Sequence, residues 1–233
     1  MTFGILFILI IAYLLGSIPF GLILVRLISG KDIRQVESGR TGGTNAGRAA
    51  GLWAGVATAL LDGFKATVAV WIAKGLFPNL FWLHIFAAIL AIIGHNYSIF
   101  LFEKTAEGKI HLRGGAGGAS CVGGAVGLWF PSFFIIIPIA VVIIYFVGYA
   151  SVTTMSIALI AILIFTVRTI WFHSPWEYIL YGVITEILLI WALRPNIKRL
   201  LQGNERLVGF RAKKRKQKSI TNNHSSSSVS SSS

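Results

Sequence analysis

Apolar residues run through this chain in blocks of membrane-crossing length, separated by short polar segments rich in basic residues. A crossing helix needs about 20 apolar residues, within a range of about 17–25. Residues 3–25 make the first block, which stops at Arg26; 50–73 make the second and 79–102 the third. The apolar stretch 131–167 is too long for one crossing, and "GYAS" from Gly148 to Ser151 divides it into 131–147 and 151–167. Residues 177–193 make the last. A further candidate, 114–130 ("GGAGGASCVGGAVGLWF"), is apolar but so rich in glycine that hydropathy alone does not decide it.

Loop charge decides it. Arg26, Lys31, Arg34, Arg40 and Arg48 lie in 26–49; Lys104, Lys109 and Arg113 lie in 103–113; ten basic residues from Arg194 to Lys218 follow the last block. The connections near 74–78 and 168–176 are poor in basic residues. The positive-inside rule puts all three basic segments in the cytoplasm. An even number of crossings must then separate residues 103–113 from the tail, and only by counting 114–130 does the number become even. The expectation is an all-α, polytopic membrane protein with seven transmembrane helices, N-terminus outside and C-terminus cytoplasmic. Residues 1–210 would form one integral-membrane domain. Residues 211–233, basic and then Ser-rich ("HSSSSVSSSS"), would be a disordered tail.

Composition agrees. The 233 residues are 55% hydrophobic and 12% charged, against about 45–50% and about 25% for soluble domains. The net charge of +13 reads as loop charge facing anionic lipid; no recognised nucleic-acid module accompanies it, so nucleic acid is not an expected partner. A single cysteine, Cys121, excludes an intramolecular disulfide and reads as a packing residue. The first apolar block has no basic segment before it and no small-residue cleavage site after it, so a removed signal peptide is not expected.

Candidate chemistry sits beside the crossings, on the cytoplasmic side. The first block contains "GSIPFG", read either as a kinked, closely packed helix or as a helix opened to admit a substrate. The loop after it, "GKDIRQVESGRTGGTNAGRAAG" from Gly30 to Gly51, interleaves Gly, Ser, Thr and Asn with Arg. Backbone N–H groups, hydroxyls and guanidinium suit phosphate oxygens, and Ser38, Thr44 and Asn45 are also candidate helix caps. A flexible solvated loop is the plainer alternative. The loop is not a P-loop, because G-x-x-x-x-G-K-[ST] is missing.

Asp62 and Lys65 lie one helical turn apart inside the second block, either as a structural ion pair or as the wall of a polar cavity. His95, in "GHNYSIF", suits a structural hydrogen bond or a site role. Glu107-Gly108 signals a small hairpin at the cytoplasmic surface. No H-E-x-x-H, Cys/His cluster or carboxylate pair appears, so neither a metal nor another cofactor is expected.

These residues resemble the bacterial acyl-phosphate:glycerol-3-phosphate acyltransferase family. Three regions carry the likeness. The longest is "GSIPFG", "DIRQVESGRTGGTNAGRAAG" and "LLDGFKA", with Asp32, Arg34, Ser38, Thr44, Asn45, Arg48, Asp62 and Lys65 matching in order and spacing. The second is Gly94-His95 followed by the glycine run, and the third is "NIKRLLQGNE", Asn196 to Glu205.

The resemblance implies seven helices and an acyl transfer. An acyl phosphate would give its chain to the 1-hydroxyl of glycerol 3-phosphate, yielding lysophosphatidate and phosphate, with no metal and no protein nucleophile. It implies an inner (plasma) membrane, multi-pass location, with the site facing the cytoplasm and membrane lipid around it. It implies Ser38, Arg48 and Asn196 as catalytic positions. Asp32, Arg34, Thr44, Asn45, His95, Gly114, Gly115, Gly117 and Glu205 would bind substrate or phosphate.

The chain also departs from the family pattern. Arg40 stands for an Asn, Ala116 for the lysine of the glycine motif, and Leu193 for a histidine. Extra residues before the glycines bring Lys104, Lys109, His111 and Arg113, and Arg113 is the candidate to replace the missing lysine. Two other readings stay open: a paralogue using another phosphorylated acceptor or donor, and a non-catalytic binder of lipid phosphates. A CDP-alcohol phosphotransferase is excluded, because residues 67–100 contain no Asp or Glu.

Overall fold

The computed structural model describes residues 2–104, 108 and 110–212; the expected tail beyond Ala212 and the tip of the expected hairpin lie outside the described residues. The elements are α1 (Thr2–Ser17), α2 (Phe20–Ser29), α3 (Gly43–Ala50), α4 (Leu52–Leu76), α5 (Phe81–Asn96), β1 (Phe102–Lys104), β2 (Ile110–Leu112), α6 (Gly118–Leu128), α7 (Ser132–Val147), α8 (Ala150–Phe172) and α9 (Glu177–Leu201). Single 3-10 turns at Ile33–Gln35 and Ile99–Leu101 join some of them.

Among the described residues five stretches are long and apolar enough to cross a membrane: Thr2–Ser29, Leu52–Leu76, Phe81–Leu101, Ala150–Phe172 and Glu177–Leu201. Two shorter apolar helices, α6 and α7, accompany them. The expected block 114–130 is helical only from Gly118 to Leu128, about 16 Å against a hydrocarbon core of about 30 Å. Its first residues form no helix and bend at Gly117, and this glycine turn sets Gly117 at φ +90° before the start of α6, a conformation that favours glycine.

α6 is a packing helix. It lies so close to α4 that a Cβ on Gly123 would run into the Gly63 backbone, while one on Gly124 would meet Tyr181. Small residues allow such approach inside a membrane, where packing rather than water drives association. The approach brings polar bonds within reach: Thr67 Oγ1 donates to the Gly123 carbonyl at 2.8 Å and Ser120 Oγ to the Asp62 carbonyl at 3.0 Å. Cys121 is buried there as expected, its carbonyl accepting from the Tyr181 hydroxyl at 2.6 Å. α5, α6, α8 and α9 share one apolar core, and alanines of α1, α4 and α5 form a second. Phe7, Leu60, Phe64, Phe134 and Leu163 project outward, as suits a lipid-facing surface.

The "GSIPFG" sequence breaks the first long helix between Ser17 and Phe20. Pro19 has no N–H to continue the ladder, and the freed carbonyls find side chains on other helices. Lys65 Nζ of α4 donates to the Ile18 carbonyl at 2.7 Å, and Ser98, just beyond α5, donates its hydroxyl to the Ser17 carbonyl.

β1 and β2 pair antiparallel, with Glu103 opposite His111. This hairpin is the one sheet among the described residues of an otherwise helical chain.

Candidate active site

The loop between α2 and α3 folds on its own polar side chains. Asp32 accepts from the Arg34 amide at 2.9 Å and pairs with the Arg34 guanidinium at 2.6 Å. The Arg34 hydrogen bond holds the Asp32 carboxyl at about 2, well under its ordinary range, and the same bond raises Arg34. Asn45, on α3, is buried, and its amide nitrogen lies within 3.1 Å of the carbonyls of Ile33, Val36 and Arg40. Two N–H groups serving three carbonyls make Asn45 the staple of this loop. Thr44, beside it, is exposed.

The glycine turn docks against this loop and against the end of α5. The Thr41 amide donates to the Gly114 carbonyl at 3.2 Å, and the Gly115 amide to the His95 carbonyl at 2.9 Å. A Cβ on Gly114 would enter the His95–Asn96 backbone, and one on Gly115 would enter the His95 ring. Below that ring lies a buried charged group. Lys65 Nζ is 2.8 Å from Asp62 Oδ1, an ion pair in which neither carboxylate oxygen is aligned as a hydrogen-bond acceptor. His95 Nδ1 is 3.4 Å from the same oxygen and 3.1 Å from Lys65 Nζ. Asp62 and Lys65 are thus an ion pair shared with His95, and His95 carries the turn above it.

Between the loop, the turn and α9 lies a cleft of about 330 Å³. Ser38, Gly39 and Arg40 line one side; Arg113, Gly114 and Gly115 line another; Asn96, Tyr97, His111, Leu112 and Ala192 complete it. Of the expected site residues, Ser38, Arg113, Gly114 and Gly115 meet here, with His95 directly beneath. Asp32 and Arg34 stand behind it, because Glu103 pairs with Arg113 Nε at 2.7 Å and reaches Arg34 at 3.5 Å. Gly117 borders Asn96 and starts α6.

Asn196 and Glu205 lie together beside the cleft rather than among its lining residues. Asn196 donates to Glu205 at 3.0 Å, and Ser151 of α8 donates to the other carboxylate oxygen at 2.7 Å. Arg48 on α3 is half-buried, and burial pushes its guanidinium down while the charges of Glu37, Arg206 and Glu205 act on it. Glu37 and Arg206 pair at 2.9 Å, joining the first loop to the segment after α9.

Sequence reasoning missed Arg40, Asn96 and Tyr97 as lining residues. Arg40 reaches across to α9 and donates Nη2 to the Ala192 carbonyl. Pro195 gave no signal for it: the carbonyl this proline leaves free is that of Trp191, which accepts from Arg194 Nε at 3.0 Å. Asn96 was visible as the polar neighbour of His95. Among the described residues no group of three or more His, Cys, Asp or Glu is placed to hold a metal ion.

A multi-pass helical protein with a cationic cleft of small-molecule size, built where three polar segments meet beside the crossings, is the class that fold and site define. The particular family follows from its relatives. Residues 6–203 match the family model described as glycerol-3-phosphate acyltransferase. The chain is 35% identical over 204 residues to glycerol-3-phosphate acyltransferase 2 of Moorella thermoacetica, covering 88% of this chain and 97% of that one. It is 36% identical to the glycerol-3-phosphate acyltransferase of Rhodopseudomonas palustris, covering 86% and 94%. A crystal structure of PlsY, an integral membrane glycerol 3-phosphate acyltransferase in its glycerol 3-phosphate form, superposes with a TM-score of 0.77 at 30% identity, covering 88% of this chain and 96% of that one. The chain belongs to the glycerol-3-phosphate acyltransferase family, and it is a membrane acyltransferase.

Proposed function

We propose that this protein moves an acyl chain from an acyl phosphate to the 1-hydroxyl of glycerol 3-phosphate, giving lysophosphatidate and inorganic phosphate in phospholipid synthesis. The observation that carries the reading is the cleft, where arginine side chains, the Ser38 hydroxyl and a glycine turn converge beside the crossings. The solved relative with glycerol 3-phosphate, and a second PlsY structure in a lysophosphatidic acid form (TM-score 0.72, 28% identity), support substrate and product of this kind.

In the step itself the glycerol oxygen attacks the acyl carbonyl carbon. The bond from that carbon to the phosphate oxygen breaks, and the departing phosphate takes the hydroxyl proton. Both reactants carry phosphate, so bringing them together is the main electrostatic obstacle, and fixed cations and N–H groups lower it. Ser38 and Arg113 act from the cleft wall, with Arg48, Asn196 and Glu205 beside it; Gly114, Gly115 and Gly117 keep the turn close. Asp32, Arg34, Asn45 and His95 hold the loop and turn in place, and Thr44 remains available on the exposed face of α3.

We propose further that residues 114–130, with α6 as their helical part, and residues 131–147, with α7, complete seven crossings. The N-terminus is then outside and the C-terminus in the cytoplasm, with the cleft facing the cytoplasm from the inner membrane. Residues 1–210 form the one domain. The purified protein in detergent, given palmitoyl phosphate and glycerol 3-phosphate, is expected to release lysophosphatidate and phosphate in equal amounts. Failure to release either, from protein that remains folded, sinks the reading.

A further inference from the structure

We infer that Arg40, rather than Arg113, is the principal cation that binds substrate phosphate in the cleft. The inference rests on the reading of the cleft as a phosphate site and assigns the anion to one side chain. The two arginines lie on the same cleft but differ in what already neutralises them. Arg113 gives Nε to Glu103 at 2.7 Å, and its side chain is 38% exposed; a carboxylate and water share its charge. Arg40 makes no ion pair among the described residues. Its Nη2 bonds to a neutral carbonyl, that of Ala192, and its buried Nη1 has no hydrogen-bond partner.

Guanidinium stays charged in a protein, and Arg40 is half-buried with no carboxylate paired to it among the described residues, an arrangement that costs free energy. Burial, with the positive charge of Arg199 adding to it, pushes the Arg40 guanidinium down. The native arrangement therefore has a cation held in a cleft wall with its compensation missing. A dianionic phosphate in the cleft supplies it, by charge and through the guanidinium N–H groups that the Ala192 carbonyl leaves free. The neighbours fit the same ligand. Ser38 offers a hydroxyl, and the cleft is lined by the glycine turn, where side chains do not crowd the space. Glu103 on the hairpin pairs with Arg113 and Arg34. Tyr97 and Glu205 act on Arg40 only through space, each favouring its charged form.

The phosphate has two possible owners, the acyl phosphate and glycerol 3-phosphate, and kinetics separates them. The full chain in detergent is compared as wild type, Arg40→Ala, Arg40→Lys and Arg113→Ala. Thermal unfolding is followed against inorganic phosphate, with chloride at matched ionic strength as the control. Phosphate stabilises the wild type through binding to the folded state. Arg40→Ala raises the phosphate concentration needed for that stabilisation by about tenfold or more; Arg40→Lys recovers part of the loss, and Arg113→Ala weakens binding by a smaller factor.

In turnover, whichever KM rises in Arg40→Ala identifies the substrate whose phosphate Arg40 holds. The inference is overturned if Arg40→Ala keeps the wild-type phosphate response and both KM values. It is equally overturned if Arg113→Ala loses more than Arg40→Ala, or if phosphate stabilises the wild type no more than chloride does. The binding arm needs no turnover, so an inactive protein that still binds phosphate through Arg40 would count against the proposed reaction and not against this assignment.

Discussion

Two groups of charge lie on either side of the same glycine turn, and they are finished to different degrees. Beneath the turn, Asp62, Lys65 and His95 close on one another at 2.8 to 3.4 Å, and Lys65 also caps a backbone carbonyl of the broken helix. Above it, the cleft holds Arg40 with one neutral partner and Asn96 with its Oδ1 unpartnered. Both groups are rich in polar atoms. The lower one sets a carboxylate against its cation and acts as architecture. The upper one leaves a cation without a carboxylate and is where an anion belongs. Charge inside a membrane protein marks a site when its own structure leaves it unbalanced.

The sharpest way to break this comparison is Lys65→Met. It leaves Asp62 buried without its cation and the Ile18 carbonyl with only the Phe20 amide, a loss of about 3–5 kcal/mol where a buried pair is cut. The expected outcome is a large fall in unfolding temperature and in recovery of monodisperse protein in detergent. Normal stability with lost turnover would instead move the lower group into the reacting machinery.

Next in size is Gly115→Ala. The new methyl enters the His95 ring, and overpacking of this kind costs about 1–3 kcal/mol. Both stability and turnover should drop, because the turn is displaced from the ring that supports it. Melting curves and initial rates check this, and a variant that melts like wild type at full rate contradicts it.

The smallest effect is expected from Asp32→Asn, behind the cleft. The Asp32 carboxyl is lowered from 3.8 to about 2 by Arg34. A lowered carboxyl stabilises the fold above its unfolded value and loses that contribution as pH falls through the folded value. Wild type should therefore melt above the variant at neutral pH, with the gap closing between pH 3.8 and pH 2. A gap that persists unchanged to pH 2 assigns the difference to packing.

Much of the membrane architecture was legible because a crossing is written in composition over some 20 consecutive residues. The blocks ending at Arg26 and beginning at residues 50, 79, 151 and 177 all contain long helices. Residues 114–130 were harder, since hydropathy gives a glycine turn and a glycine-rich helix the same value. It takes the φ of Gly117 and the approach of Gly123 to Gly63 to divide them. The hairpin was legible from its turn residues, and its arms pair as the sequence suggested.

The site was legible as a set of segments, less so as roles. Asn45 read equally well as a cap or a phosphate ligand, because its three carbonyl partners lie 5 to 12 residues away in the chain. Arg113 stood out for its place next to the glycines. What sequence spacing did not carry was Glu103, which the hairpin sets across from His111 and so within reach of Arg113.

The break at Pro19 bears on how the protein is made. The Ser17 carbonyl is satisfied by Ser98, and the Ile18 carbonyl, which also accepts from the Phe20 amide, is bonded by Lys65; the ribosome adds these two side chains about 50 to 80 residues later than the groups they serve. A backbone carbonyl has no water to bond in the bilayer core. The leading helix pair is therefore an unfinished surface during synthesis and needs α4 and the end of α5 to arrive before it can settle. The break at Pro19 is thus closed by side chains from far along the chain, and a chain ending before Lys65 has the apolar length of a crossing but lacks the groups that bond the broken turn.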